Sequence, residues 1–380
     1  MSLKTISILT DGIYPFVMGG MQKHSFYLAK YFALKRITVD LYHYLPEGKY
    51  ISENGFTAEE STYINHIVVA MPISDRFVGR YIRQCKAYSK NILAELESRS
   101  KTDFIYAQGF AAWALLDNKN ARKKLSPIAV NFHGLEPLQQ VADFKSKLQK
   151  WLLLPYLKHN LYKADYVFSL GGNLTKLLLN AGINSTKILE IPIGIEANWL
   201  VNEIPQSNKP LRFLFIGRNE RRKGIHELSI AINAISTLKA EFHFIGPVTI
   251  KDMSALENKE QSNLYFHGAI YNQDKIKEIT RSCDVLICPS FSEGMPTVIL
   301  EAMSSGLTAI ATNVGATNEV VNNSNGWLID SPQPGLIIEA INEAILSSDE
   351  ALHNKRRNAL QHIKNHFRWE MVIEKTIFNI

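Results

Sequence analysis

Two doubly wound α/β domains facing a cleft are the fold class this chain predicts, and three observations carry it. Short β-rich runs ending in Gly, His or Pro are separated mainly by longer amphipathic stretches, which is the grammar of βαβ units and of mostly parallel sheets covered on both faces. The pattern occurs twice, on either side of a polar, proline-bearing stretch near the middle. The length of 380 residues exceeds the usual size of one core, so two domains of roughly 150 to 200 residues are expected.

In chain order, TISILTDG, ITVDLYHYL, HIVVAMPI, DFIYAQG, PIAVNFHG, DYVFSLG and KILEIPIG read as the strands of the first domain, residues 1–196. EANWLVNEIPQSNKP follows, and residues 197–210 read as the linker. LRFLFIGR, EFHFIGP, LYFHGAI, VLICPS, TAIATNV and GWLID then repeat the pattern over residues 211–358. In such sheets ligands bind beyond the C-terminal ends of the strands, so chemistry-bearing motifs should cluster there.

Composition narrows the class. Hydrophobic residues at 46% and charged residues at 21% suit a globular protein and exclude a disordered or fibrous one. No apolar run reaches the ~18 residues of a membrane span. The N-terminal LKTISILTDG lacks a cleavage site and reads as a strand, so a cytoplasmic protein is expected. Cys85, Cys283 and Cys288 fit neither a disulfide framework nor a zinc site and are expected to be buried and inert. The net charge of +6 is uneven: residues 1–200 hold 24 Lys and Arg against 16 Asp and Glu, the remainder 18 against 20. Much of the excess lies in RFVGRYIRQCKAYSK, 76–90, where Arg76, Arg80, Arg83, Lys86 and Lys90 recur at helical spacing and Phe77, Tyr81, Ile82, Cys85 and Tyr88 include an apolar side. FKSKLQKWLLLPYLKHNLYK, 144–163, combines cations and aromatics again. Both read either as solvated basic faces or as surfaces for an anionic bilayer or an acidic acceptor. No nucleic-acid motif accompanies the charge, so no nucleic-acid partner is expected.

Each candidate motif follows a strand. After the first, Gly19 and Gly20 precede a helix, so backbone N–H groups can approach a phosphate. GRNERRKG places Arg218 and Lys223 where a bidentate fork and a mobile point charge suit a diphosphate; an exposed basic turn is the alternative. His133 in NFHG could hydrogen-bond a substrate hydroxyl or polarise a leaving group, or be structural. SFSEGMPTVILEAMSSG sets Glu293 in a loop and Glu301 about one and a half turns inside a helix begun by Pro296. The two carboxylates bracket a helix start, a ready site for phosphate; a capping acid and a surface glutamate are the plainer alternative.

In order and spacing, GRNERRKG, DVLICPSFSEGMPTVILEAMSSG, GATNEVV and NGWLI resemble glycosyltransferase family 4, the retaining nucleotide-sugar glycosyltransferases of GT-B fold with two Rossmann-like domains. The likeness extends to the N-terminal GG, to NFHG and to FRWEMVIEKTIFNI, which is similar to the family's closing helix; residues 359–380 are thus expected to cross back to the acceptor-side N-terminal domain. The resemblance implies that Glu301 binds the ribose, that Glu293 lies by the donor sugar and leaving phosphate, and that the amides of Gly294, Met295, Pro296 and Thr297 hold that sugar. It places Arg218 and Lys223 on the diphosphate, Gly19 and Gly20 beside the phosphate, His133 on donor or acceptor, and backbone from Gly268 through Ile270 to Tyr271 near the base. Glu293 and His133 are the implied catalytic residues.

Leu307 stands where the family usually has proline, and Ile193 and Glu196 where Asn-Gly-(Val/Ile)-Asp is common. The implied reaction is front-face transfer with retention from a UDP- or GDP-sugar to a glycan or lipid-linked acceptor in cell-surface polysaccharide or lipopolysaccharide synthesis, at the inner face of the plasma membrane. No metal or other cofactor is expected, since no two aspartates stand two positions apart. A sugar-nucleotide epimerase of the same architecture and a non-catalytic nucleotide-sugar-binding subunit stay open as alternatives.

Overall fold

Strand runs that are apolar on both faces can only be stable when helices cover each side of the sheet, and the chain meets that demand twice. A computed structural model describes residues 3–380 apart from 74–76, 78, 119–124, 140–142, 236–238 and 254–262. The first sheet contains β1 (Thr5–Leu9), β2 (Thr38–His43), β3 (Ile64–Val68), β4 (Phe104–Gln108), β5 (Ile128–Asn131), β6 (Tyr166–Ser169) and β7 (Ile188–Glu190), in spatial order β3-β2-β1-β4-β5-β6-β7. The second contains β8 (Leu211–Ile216), β9 (Ala240–Ile245), β10 (Leu264–Phe266), β11 (Val285–Cys288), β12 (Thr308–Thr312) and β13 (Gly326–Ile329), ordered β10-β9-β8-β11-β12-β13. Every pairing is parallel. Each predicted run therefore lies on a strand. Strand order reverses direction between β1 and β4 and between β8 and β11, which opens a crevice at the C-terminal end of each sheet.

Between the sheets, residues 197–210 are tied down. Ala197–Trp199 form one 3₁₀ turn with Trp199 buried. Asn208 donates its backbone and side-chain N–H groups to Asp284, whose carboxylate also meets Arg356 at 3.1 Å in a fully buried pair. The helix Asp349–His366 runs unbroken, and after Phe367 and Arg368 the last helix, Trp369–Asn379, packs on the helix Gly20–Leu34. Trp369 stacks on Tyr31 at 5.7 Å, and the backbones of Ile195 and residues 367–369 are hydrogen-bonded.

The basic segment differs from its sequence reading. Its helix spans Arg80–Glu97, because Gly79 has φ +82°, a left-handed conformation no right-handed helix can contain; Arg76 lies outside the described residues. The buried face is Tyr88, Ser89, Ile92 and Leu96, while Phe77 and Tyr81 are exposed. The second tract forms the helix Phe144–Lys163 with Leu157 and Leu161 buried and Leu148 and Trp151 exposed. No helix among the described residues is long and apolar enough to cross a membrane.

Candidate functional site

The two crevices face one another across a cleft of about 770 Å³. On the C-terminal side, β8 ends at Ile216 and the chain turns through Gly217 and Arg218 into a 3₁₀ turn, Arg221–Lys223. Gly224, at φ +70°, then brings the backbone against Pro289, where a Cβ would stand 1.9 Å from the carbonyl oxygen. That close approach puts Lys223 beside the loop following β11. Its Nζ donates to Glu293 Oε1 at 2.5 Å, and Ser290 Oγ donates to the same oxygen at 2.7 Å. Arg222 Nη1 lies 3.6 Å from Glu293 Oε2 and donates to Ser292 O at 3.4 Å. Arg218 also lines the cleft, 74% exposed, with its Nε 3.1 Å from Glu220 Oε1. Two cations thus meet one carboxylate and a third, Arg218, borders the same open cleft space, an arrangement suited to a dianionic diphosphate.

Gly294, Met295, Pro296 and Thr297 line the cleft as expected. The helix begins one residue later than predicted: Pro296 is the cap, with ψ 107°, and Thr297 the first helical residue. Glu301 lies on this helix but opens into a neighbouring small cavity, shared with Gly20, Lys23, His24 and Thr297. Burial pushes its carboxyl up to about 7, against the pull of Lys23 and Lys277.

From the N-terminal side, Gly20 opens the helix Gly20–Leu34 and borders both spaces, with nothing near enough to obstruct a Cβ. Gly19 is extended, with φ 171°, and borders neither cavity. His133, at φ +51°, lines the cleft, its backbone N–H fixed by Asn131 Oδ1 at 2.9 Å. Burial pushes its imidazole down to about 4, so the ring is neutral. Ile270 and Tyr271 line the cleft, whereas Gly268 sits behind them with φ +68° and accepts from Gly246 N. The structure brings Arg218, Lys223, Glu293 to Thr297, His133, Gly20 and Ile270 around one space, and places Glu301 next door.

Sequence reasoning missed Arg222, which sits between two singled-out cations. It missed Gln139, whose Nε2 donates to the backbone oxygens of both Gly134 and Glu293 and so joins the two halves at the site. It also missed Glu136, open to the cleft yet pushed up by its surroundings and raised further by Glu293, with Arg222 pulling the other way. Glu196, one of the departures from the family's pattern, pairs with Lys30 at 2.6 Å. All three thiols are raised by burial, Cys85 and Cys288 to about 11 and Cys283 to about 12. No group of three or more His, Cys, Asp or Glu side chains able to hold a metal occurs among the described residues.

Residues 200–362 match the family described as Glycosyl transferases group 1, and residues 18–199 match Glycosyltransferase Family 4. An uncharacterized glycosyltransferase of Methanocaldococcus jannaschii is 26% identical over 374 residues, 97% of this chain and 96% of its own. A UDP-Gal:alpha-D-GlcNAc-diphosphoundecaprenol alpha-1,3-galactosyltransferase of Escherichia coli is 34% identical over 96 residues, 25% of this chain and 24% of its own. Among solved structures, sucrose-phosphate synthase of Thermosynechococcus elongatus superposes with TM-score 0.78 at 17% identity, covering 98% of this chain and 97% of that one. HepE of Anabaena in complex with UDP-glucose superposes with TM-score 0.69 at 15% identity, covering 99% and 100%. These superpositions establish the two-domain GT-B arrangement.

Proposed function

The chain belongs to the glycosyltransferases of family 4 type, and on that premise we propose that it moves a sugar, with retention, from a UDP- or GDP-sugar to a hydroxyl of a glycan or lipid-linked acceptor during synthesis of a cell-surface polysaccharide or lipopolysaccharide. The observation that carries this reading is the meeting of Lys223 and Arg222 at Glu293, with Arg218 lining the same cleft beside the Gly294–Thr297 loop. A leaving diphosphate develops negative charge as its bond to the anomeric carbon breaks, and fixed cations and helix N–H groups in a partly closed site stabilise that charge before it forms. The acceptor oxygen attacks from the same face. Its proton passes to a phosphate oxygen of the departing donor, so neither Glu293 nor His133 has to act as a base. Glu293, held by Lys223 and Ser290, orients the cations and the sugar. The lipid-linked alternative for the acceptor draws on the E. coli relative, whose name specifies a diphosphoundecaprenol-linked sugar. On this reading Lys223 and the two arginines supply the positive charge a divalent ion would otherwise bring, and the reaction runs without metal.

The test is release of nucleoside diphosphate from a panel of UDP- and GDP-sugars, with and without glycan acceptors, in excess chelator. Turnover by at least one donor, stimulated by an acceptor and unaffected by the chelator, is the expected result. Interconversion of the sugar nucleotide without release would instead mark an epimerase, and binding without either would mark a non-catalytic subunit. A complete, metal-reversible loss in chelator would overturn the metal-free mechanism.

A further inference from the structure

At the floor of the cleft one buried amide stands between two imidazoles. Gln108, the last residue of β4, places Nε2 3.0 Å from His24 Nδ1 and Oε1 2.8 Å from His133 Nε2. The two rings meet edge to face at 4.8 Å. Both rings are neutral: burial holds His133 at about 4, and burial with the nearness of His133 drives His24 well below its ordinary value. A primary amide offers donors at one end and an acceptor at the other, so two neutral imidazoles bound to it cannot choose their tautomers independently. One must accept from the amide and the other must donate to it.

The orientation of the amide assigns the roles. With the amide Nε2 turned to His24, His24 Nδ1 accepts and that ring carries its N–H on Nε2; His24 also borders the small cavity that Glu301 lines. His133 then donates from Nε2 to Gln108 and is left with a bare Nδ1. Its backbone is pinned independently by Asn131, whose Nδ2 donates in turn to the Tyr106 hydroxyl at 2.7 Å.

We propose that Gln108 is a positioning residue that fixes the His133 proton on Nε2 and so presents Nδ1 to the cleft as an acceptor for a hydroxyl of the bound sugar. On this assignment His133 takes a hydrogen bond from a sugar and offers no charge to the diphosphate, which is left to Lys223 and the arginines. The consequence for turnover rests on the transferase reading above; the tautomer does not.

The experiment is a two-bond ¹H–¹⁵N correlation spectrum of the full chain with ¹⁵N-labelled histidine at pH 7, the His133 signals being assigned by their loss in His133→Phe. An Nε2–H pattern for His133 is expected, together with its loss or averaging in Gln108→Met and a kcat at least about tenfold lower for whichever UDP- or GDP-sugar the wild type consumes. An Nδ1–H pattern in the wild type overturns the proposal, as does an unchanged His133 tautomer in folded Gln108→Met. Should that variant fail to fold, the wild-type spectrum alone decides. A wild type that shows the Nε2–H pattern and consumes no donor refutes the transferase reading and upholds the tautomer, so the two failures are separable.

Discussion

Glu301 illustrates how a candidate binding residue strains the free protein. Its carboxyl is raised to about 7 by burial, so the folded state holds a proton that the unfolded chain releases near pH 4.5. The stability that protonation provides is complete at low pH and is lost as pH rises from about 4.5 to 7. Glu301→Gln should therefore unfold at a higher temperature than wild type at pH 8 and at nearly the same temperature at pH 4.5; at 1.36 kcal/mol per pH unit the difference is on the order of 1–3 kcal/mol. Nucleotide binding should move the other way. If the ionised carboxylate accepts from ribose hydroxyls, binding releases a proton below about pH 7 and affinity rises with pH up to that value. Calorimetry of UDP or GDP binding in buffers of different ionisation enthalpy reads this, and equal proton release at pH 6 and pH 8 would remove Glu301 from the nucleotide site. Arg218→Ala should weaken the same nucleotide by about 1.5–3 kcal/mol, the usual worth of a charge-assisted hydrogen bond.

At the scale of elements, the Glu293 loop is shaped by a neighbour that offers only a hydrogen. Gly315 has φ +57°, and a Cβ there would stand 2.2 Å from the Glu293 carbonyl oxygen and 2.3 Å from that of Gly294. Ala316 N donates to Gly294 O at 2.7 Å, so the loop cannot retreat without losing a hydrogen bond. Gly315→Ala should lower the thermal midpoint and cut turnover at least about tenfold; a variant as stable and active as wild type would show the loop free to shift. The strands were legible in the sequence because a parallel strand covered on both faces is mostly apolar, as IAV and VLIC are. The helix after Gly79 was misplaced at its start because a run of spaced cations gives no weight to one glycine in the left-handed region. Arg218, Lys223 and Glu293 were legible from motif order. Gln139, by contrast, meets Glu293 across 154 positions, and Gln108 meets His133 across 25; nothing local marks an amide whose partners arrive only on folding.

Over the whole molecule, the two halves are clasped at several places. Besides Gln139 on Glu293, Asn173 reaches Asn313 and the Gly315 carbonyl, and the last helix lies on the first domain. With the donor side turned to the C-terminal sheet, the remaining cleft wall belongs to the half with the positive excess, and both of its basic helices carry exposed apolar side chains. Phe77 precedes the basic helix and Tyr81 lies in its first turn, while Leu148 and Trp151 stand on the helix Phe144–Lys163, with Trp151 71% exposed. We propose that these two helices rest on an anionic bilayer, which attracts each nearby basic residue by ~1 kcal/mol and takes up aromatic side chains at the headgroup boundary. Co-sedimentation with vesicles should rise with the anionic lipid fraction and fall with salt, since surface attraction is screened over ~10 Å at 0.1 M. Replacing Arg80 and Arg83 by glutamate together with Trp151→Ser should lower the partition coefficient at least about tenfold while leaving UDP or GDP affinity unchanged. Sedimentation equal to wild type, with turnover of a water-soluble acceptor independent of salt, would mean that the basic face serves only the solvent.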